Sequence, residues 1–412
     1  MPLTTPDLRV AIVHEWLEHR AGSERVFEEL LGIYPQADLF SLVDFLPPGQ
    51  GRAWLGGRHV QTSILQRLPL ARHSFRYYLP LMPLLVEQFD LSSYDLVISS
   101  SHAVAKGVLT RPDQVHVSYV HTPFRYAWDL THTYLRSLGP VQRLMAKPVL
   151  HYLRLWDVLS AGRPDVIVAN SRHVAARIRK EWRRSATVVH PPVDIARFRH
   201  DRPRNERFIT ISRLVPYKRV DLLIEAFNQL ALPLDIVGEG SERRRLQRLA
   251  GSTIRLLGHL EDADLTSRLE CARAFVFAAE EDFGIAPVEA MACGTPVIAW
   301  SRGGCSETVI HGITGILYEQ QDVAAICAAV REFISGRMAL DPSHIARHAA
   351  GFSVDRFAEA MKRLVAEAMA MRSGGPADQH GDAGQGRLPQ IGDGTGVVAA
   401  REMVRAEPPV RA

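Results

Sequence analysis

The chain has 412 residues, 46% hydrophobic and 23% charged, which gives apolar mass for two or three cores and excludes a wholly disordered, collagenous or coiled-coil protein. Its 49 Lys and Arg against 45 Asp and Glu leave a formal charge of +4, too small to argue for nucleic acid and suited to anionic partners such as nucleotide diphosphates or phospholipid headgroups. No run reaches the ~20 apolar residues of a membrane helix, residues 1–7 lack the apolar core of a signal peptide, and the four cysteines form no C-x-x-C pair, so the expectation is a cytoplasmic chain with free thiols.

The first apolar run, residues 8–13, predicts a strand buried in a parallel sheet. A turn at Gly22 and a helix over 24–31, with Val26, Phe27, Leu30 and Leu31 on one face, follow it. Further strands are predicted at 94–98, 115–120, 165–169 and 186–189, with a helix over 171–182 capped by Ser171. This alternation predicts an α/β domain over residues 1–195. Pro191, Pro192 and the charged stretch 199–207 read as a linker. Strands at 208–212, 234–237, 254–257, 274–278 and 296–299 then alternate with helices at 220–230, 242–250, 265–272 and 286–292. They predict a second doubly wound domain over 205–352. A helix over 353–371 follows, and the glycine-rich residues 372–412 read as a disordered tail. Two such domains would face a cleft at the carboxyl ends of their sheets, where ligands of open α/β sheets bind.

Four segments carry chemistry. Residues 281–296 follow a predicted strand and open a helix, whose free N–H groups and positive dipole end suit a phosphate. Gly284 lets a ligand approach the backbone there. Glu281 precedes that helix and Glu289 lies inside it, so the two carboxylates would touch different parts of one elongated ligand. Arg213 and Lys218 follow the strand 208–212, where two fixed cations can neutralise the charge on a departing diphosphate. A solvated basic loop is the alternative, and Arg219 reads as surface. Gly22 follows the first strand and keeps a backbone approach open. His121 ends a strand and can donate to a sugar hydroxyl, although most of the 17 histidines of such a chain are structural. Residues 65–89 mix Arg67, Arg72 and Arg76 with apolar side chains. They suit either an anionic membrane surface or domain packing, and Pro69, Pro80 and Pro83 prevent one long helix.

The E-x7-E pair Glu281 and Glu289, with its surroundings, resembles the donor-binding loop of the retaining glycosyltransferases of family four, built from two Rossmann-like domains facing a cleft (the GT-B type). The resemblance runs from Arg9 to about Met369 and is strongest from Ile211 to Tyr318. It implies that Glu281 lies by the donor sugar, that Glu289 holds the donor ribose, and that Arg213 and Lys218 hold the nucleotide diphosphate. It implies Phe283, Gly284 and Ile285 as further donor-binding residues, and Gly22 as what remains of a usual glycine pair, here flanked by Ala21 and Ser23. The string His121-Thr122-Pro123-Phe124-Arg125-Tyr126-Ala127-Trp128-Asp129, with His14-Glu15-Trp16-Leu17, resembles a branch that includes bacterial mannosyltransferases of O-antigen and exopolysaccharide assembly. By that match His121 sits next to the donor sugar, while His14, Arg125 and Trp128 are acceptor-side candidates; Tyr126 and Trp128 equally suit a core.

Residues 303–308 resemble the family's loop near the donor pyrophosphate, with Glu307 either capping a helix or touching the ligand. Asp262-Ala263-Asp264 matches the D-x-D metal string of the other large glycosyltransferase fold, but acids at a helix start are favoured by the dipole alone. No cofactor and no catalytic metal are expected. The implied reaction is transfer of a sugar with retained configuration, GDP-mannose being favoured over UDP-glucose as donor, to a lipid-linked or polysaccharide acceptor at the inner face of the plasma membrane. A nucleotide-sugar epimerase and a non-catalytic nucleotide-sugar-binding scaffold remain alternatives.

Overall fold

The computed structural model describes residues 8–20 and 22–373. The tail expected from residue 372 falls outside the described residues from 374 onward, while Arg372 and Ser373 still belong to the last helix, Val354–Ser373.

The first sheet contains β1 (Val10–Leu17), β2 (Asp38–Asp44), β3 (Val60–Thr62), β4 (Leu96–Ser101), β5 (Val115–Val120), β6 (Val166–Ala169) and β7 (Thr187–Val188). The order is β3-β2-β1-β4-β5-β6-β7, all parallel. The second contains β8 (Phe208–Ile211), β9 (Leu234–Val237), β10 (Ile254–Gly258), β11 (Phe275–Phe277), β12 (Val297–Trp300) and β13 (Gly315–Tyr318). Its order is β10-β9-β8-β11-β12-β13, again parallel. Both are doubly wound Rossmann-like sheets. Each reverses direction once, between β1 and β4 and between β8 and β11, and a crevice opens at the carboxyl ends of those strands.

The strands are near-continuous apolar runs because both faces are covered. On one face of the first sheet, Val10 and Ile12 pack with Val26, Phe27 and Leu30 of the helix Gly22–Ile33. Gly22 is therefore the first residue of that helix, not a turn. Phe357, Met361, Leu364 and Val365 of the last helix join the same cluster. The chain thus returns from the second sheet to close the first, each such buried side chain contributing about 1.5–3 kcal/mol. The sequence marks this helix as amphipathic but not its partner.

On the other face, Leu65, Phe75, Met82 and Val86 pack with Phe124, Leu153 and Trp156. The segment around them forms short turns, Ile64–Arg67, Ala71–Ser74, Phe75–Leu81 and Met82–Val86. Pro80 and Pro83 lie inside or at the start of these turns, as the fixed proline φ requires. No helix among the described residues is long and apolar enough to cross a membrane.

Candidate functional site

The second domain supplies a cationic corner. β8 ends at Ile211, and the loop after it carries Arg213 and the turn Pro216–Lys218. Two glycines seat this loop. A Cβ on Gly238 would lie 2.0 Å from the Ser212 carbonyl oxygen, and one on Gly240 2.2 Å from that of Leu214, so only glycine allows such contact. Lys218 is buried, and its Nζ is paired with the Glu281 carboxylate. Burial, with Arg213 and Arg125 nearby, pushes the Lys218 ammonium down to about 7, and the Asp282 carboxylate opposes that shift. Arg213 is exposed and donates to the Tyr217 hydroxyl.

Glu281 lies in the loop after β11, which leads through Gly284, in the left-handed region at φ 88°, into the helix Ile285–Ala292. The backbone N–H groups opening this helix lie a few residues from Glu281. Pro287 contributes no N–H of its own. Gly303 and Gly304 press against the same loop: their Cβ atoms would fall 2.3 Å from the Glu281 carbonyl oxygen and 2.0 Å from that of Phe283. The glycine pair therefore serves to pack two loops together. The Phe283 ring is turned into the core beside His190 and Phe352, with centroids 5.5 and 5.7 Å away. Of the residues read as donor-binding, Phe283 thus has its side chain taken up by core packing.

The first domain supplies a buried polar cluster at its own switch point. His121 directly follows β5, and its Nε2 lies 2.9 Å from the Ser100 hydroxyl. That hydroxyl also lies 3.1 Å from His14 Nδ1, and His14 Nε2 lies 3.6 Å from a Glu24 carboxylate oxygen. Burial, with His102 and His14 nearby, pushes the His121 imidazole down to about 3. Glu15 Oε1 accepts from the Ser101 hydroxyl and from the N–H groups of His102, Ala103 and Ala105, at 2.8 to 3.0 Å. Burial alone would raise the Glu15 carboxyl; His102, 3.1 Å away, and these donors outweigh it and hold it well below the usual carboxylate range.

Side chains bridge the two domains across the cleft. Glu289 Oε1 accepts from Arg25 at 2.7 Å and from Arg197 at 2.8 Å. Asp282 accepts from Arg177 at 2.5 Å and lies 3.7 Å from Arg125. Arg177 also pairs with Asp129 at 2.7 Å. Glu307 accepts from the backbone N–H groups of Arg172 and His173, at 2.9 and 3.3 Å, so it caps the helix Arg172–Trp182 of the opposite domain. A Cβ on Gly22 would lie 3.2 Å from Ile285 Cδ1, which places the first helix of one domain against the entry to the helix Ile285–Ala292.

Other candidates are placed elsewhere. His14 is fully buried, and the half-buried Trp128 donates its indole N–H to buried Asp157 at 2.8 Å. Tyr126 packs against the first domain's core. Asp262 and Asp264 stand in the first turn of the helix Asp262–Cys271, where the dipole favours them. Sequence reasoning did not single out Glu24, Arg25, Ser100, His102, Arg177, Arg197 or Asp282. Glu24, Arg25 and Asp282 lie inside strings that were singled out. Arg177 and Arg197 sit in ordinary basic stretches and acquire partners only through the fold.

Two family models match adjacent stretches of the chain: "Glycosyltransferase Family 4" over residues 36–197 and "Glycosyl transferases group 1" over 193–351. The GDP-mannose-dependent alpha-(1-6)-phosphatidylinositol monomannoside mannosyltransferase of Mycolicibacterium smegmatis is 35% identical over 49% of this chain and 65% of its own. The glycogen synthase of Mycobacterium tuberculosis is 34% identical over 40% of this chain and 42% of its own. The chain therefore spans less than two thirds of the length of these curated relatives. Among solved structures, sucrose-phosphate synthase from Thermosynechococcus elongatus superposes with a TM-score of 0.66 at 18% identity, over 88% of this chain and all of its own. Anabaena HepE in complex with UDP gives 0.64 at 18%, over 87% and 100%. At that identity both speak for the fold alone, the GT-B arrangement of two parallel-sheet domains. With the two models together reaching from residue 36 to 351, and both sheets doubly wound, the chain belongs to glycosyltransferase family 4.

Proposed function

We propose that the chain transfers a hexosyl group, mannose from GDP-mannose, to a lipid-linked or polysaccharide acceptor in cell-surface glycan synthesis, with retention of configuration. The observation that carries this is the buried Lys218 paired with Glu281 beside the entry to the helix Ile285–Ala292. A desolvated cation, the exposed Arg213 and free helix N–H groups together make a seat for a pyrophosphate whose charge grows as the sugar leaves. An incoming diphosphate adds negative charge and holds the Lys218 ammonium protonated. The GDP-mannose-dependent relatives favour the donor.

In the reaction, the bond from the anomeric carbon to the phosphate oxygen breaks as the acceptor hydroxyl bonds to that carbon from the same face. The acceptor proton passes to the departing phosphate oxygen, so no protein base is needed. Glu281 orients the donor sugar, His121 contacts one of its hydroxyls, and Glu289 takes the ribose in exchange for Arg25. Gly22, Gly284 and Ile285 line the donor.

The membrane side of this reading is supported by the helix Pro140–Ser160. It exposes Val141, Leu144, Met145 and Leu159 by 71, 69, 68 and 74%, next to Arg143 and Lys147. From residue 131 to 160 the sole acid is Asp157, which is buried. Exposed apolar and basic side chains without acids suit an anionic lipid surface, where a lipid-linked acceptor waits.

Incubation with a panel of nucleotide-sugars and a polyprenyl-linked acceptor, read by mass spectrometry, tests the proposal. Hexose on the acceptor supports it. Isomerised donor would make the chain an epimerase, and bound but unchanged donor would make it a binding protein. Glu289→Ala is expected to weaken GDP-mannose binding at least tenfold in titration calorimetry, as loss of a charged hydrogen-bond acceptor implies. Unchanged affinity would remove Glu289 from the ribose.

A further inference from the structure

The polar cluster beneath His121 is a connected chain rather than a set of separate contacts. Parallel register sets His14 of β1 directly opposite Ser100 of β4, and Ser100 opposite Tyr119 of β5, two residues before His121. The Ser100 hydroxyl thus lies between two imidazoles, at 3.1 Å from His14 Nδ1 and 2.9 Å from His121 Nε2. Beyond His14, the Glu24 carboxylate faces Nε2 at 3.6 Å, an electrostatic contact longer than a hydrogen bond. His14, Ser100 and Glu24 are all buried, so water does not compete for these bonds.

A hydroxyl has one proton to give and lone pairs to accept with. Between two imidazole nitrogens, it donates to one and accepts from the other. The protonation of His14 Nδ1 and of His121 Nε2 is therefore coupled: where one is bare, the other carries hydrogen. An ionised carboxylate only accepts, which places the His14 hydrogen on Nε2, facing Glu24. His14 Nδ1 is then bare and accepts from Ser100, and Ser100 accepts from His121 Nε2.

We infer that Glu24, His14 and Ser100 are positioning residues that fix His121 as its Nε2–H tautomer, leaving Nδ1 as a hydrogen-bond acceptor for a hydroxyl of the bound sugar. The neutral state this requires is favoured by burial, with His102 and His14 nearby, which holds the His121 imidazole down against the opposing Glu15 and Glu24 carboxylates. Glu24 is ionised, as the chain needs: burial alone would raise its carboxyl, but His14 and Ser23 bring it down to about 2. The groups facing the pair are Glu15 of β1, His102 after β4 and Glu24 of the first helix. Protonation of His14 would reverse the chain: Ser100 would turn to donate to His121 Nε2, and Nδ1 would become a donor. The inference rests on the proposed function only for the identity of the hydroxyl.

The test reads the tautomer without substrate, so its failure and that of the transfer assignment are separable. In the full chain with ¹⁵N-labelled histidine, long-range imidazole correlations are recorded, with His121 assigned from the signals lost in His121→Gln. The wild-type protein is expected to show His121 Nδ1 bare and Nε2 protonated. In Ser100→Ala the tie is cut and an Nδ1–H population should appear at His121, while His14 keeps its hydrogen on Nε2. In Glu24→Met the same population should appear at His121, which touches no altered atom; a packing role would not move it. A protonated Nδ1 in the wild type, or a His121 tautomer unchanged in Ser100→Ala, would overturn the inference. Should Glu24→Met fail to fold, Ser100→Ala decides alone.

Discussion

Lys218→Ala is expected to lower kcat on the order of 30- to 1000-fold with the fold intact, about 2–4 kcal/mol of lost transition-state stabilisation. The size follows from where the ammonium sits. Lys218 is buried, so its field at a neighbouring phosphate is screened by protein rather than by water. A diphosphate leaving an anomeric carbon gains negative charge as the bond lengthens, so the lysine holds the transition state more tightly than the bound donor. The loss therefore falls on kcat more than on donor affinity. Arg213→Ala should move in the same direction by less, because its guanidinium is exposed and screened by salt. Single-turnover rates and donor titrations separate the two contributions. Turnover within a few-fold of wild type for Lys218→Ala would remove the lysine from the mechanism.

Lys106→Met is expected to destabilise the first domain by about 3–5 kcal/mol. Lys106 and Asp157 are buried, with Nζ 2.6 Å from Oδ1. The ammonium also donates to the Ala103 carbonyl at 3.0 Å and lies 4.9 to 5.1 Å from the ring centroids of Phe124, Trp156 and Trp182. Asp157 Oδ2 accepts from the indoles of Trp128 and Trp182 at 2.8 and 2.7 Å. One charge pair thus joins the turn after β4, the loop after β5, and the helices Pro140–Ser160 and Arg172–Trp182. Removing the cation strands a desolvated carboxylate, whereas most surface substitutions cost well under 1 kcal/mol. Urea denaturation followed by tryptophan fluorescence checks this, since three indoles surround the pair. A midpoint like that of wild type would show the pair to be energetically idle.

The two sheets were legible because fully covered parallel strands are short apolar runs and the turns between them carry Gly, Pro or capping residues. The helix Arg172–Trp182 begins where Ser171 predicts, its hydroxyl accepting from Val174 N–H at 3.0 Å. Other elements were hidden for physical reasons. β1 runs past Val13 through His14, Glu15 and Trp16, residues that read as polar loop; Glu15 is tolerated because four donors converge on one of its oxygens. By contrast, β2, Asp-Leu-Phe-Ser-Leu-Val-Asp, is a good strand in composition and is flanked by Pro35 and Pro47-Pro48-Gly49, so it was legible from the sequence although it was not singled out. At the site, residues borne on recognisable loops, such as Arg213, Lys218 and Glu281, could be read from their strings. The cross-cleft partners could not: Arg25 and Glu289 are 264 positions apart, and Arg177 and Asp282 are 105. No local pattern encodes such a pairing; the fold creates it.

The central claim is that a pyrophosphate is held by Lys218, Arg213 and the opening N–H groups of the helix Ile285–Ala292. A crystal structure of the full chain with GDP-mannose tests it directly. The account predicts both phosphates within hydrogen-bond distance of Lys218 Nζ and Arg213, with the sugar reaching toward His121. Phosphates seated away from that corner, with Lys218 still closed on Glu281, would contradict it.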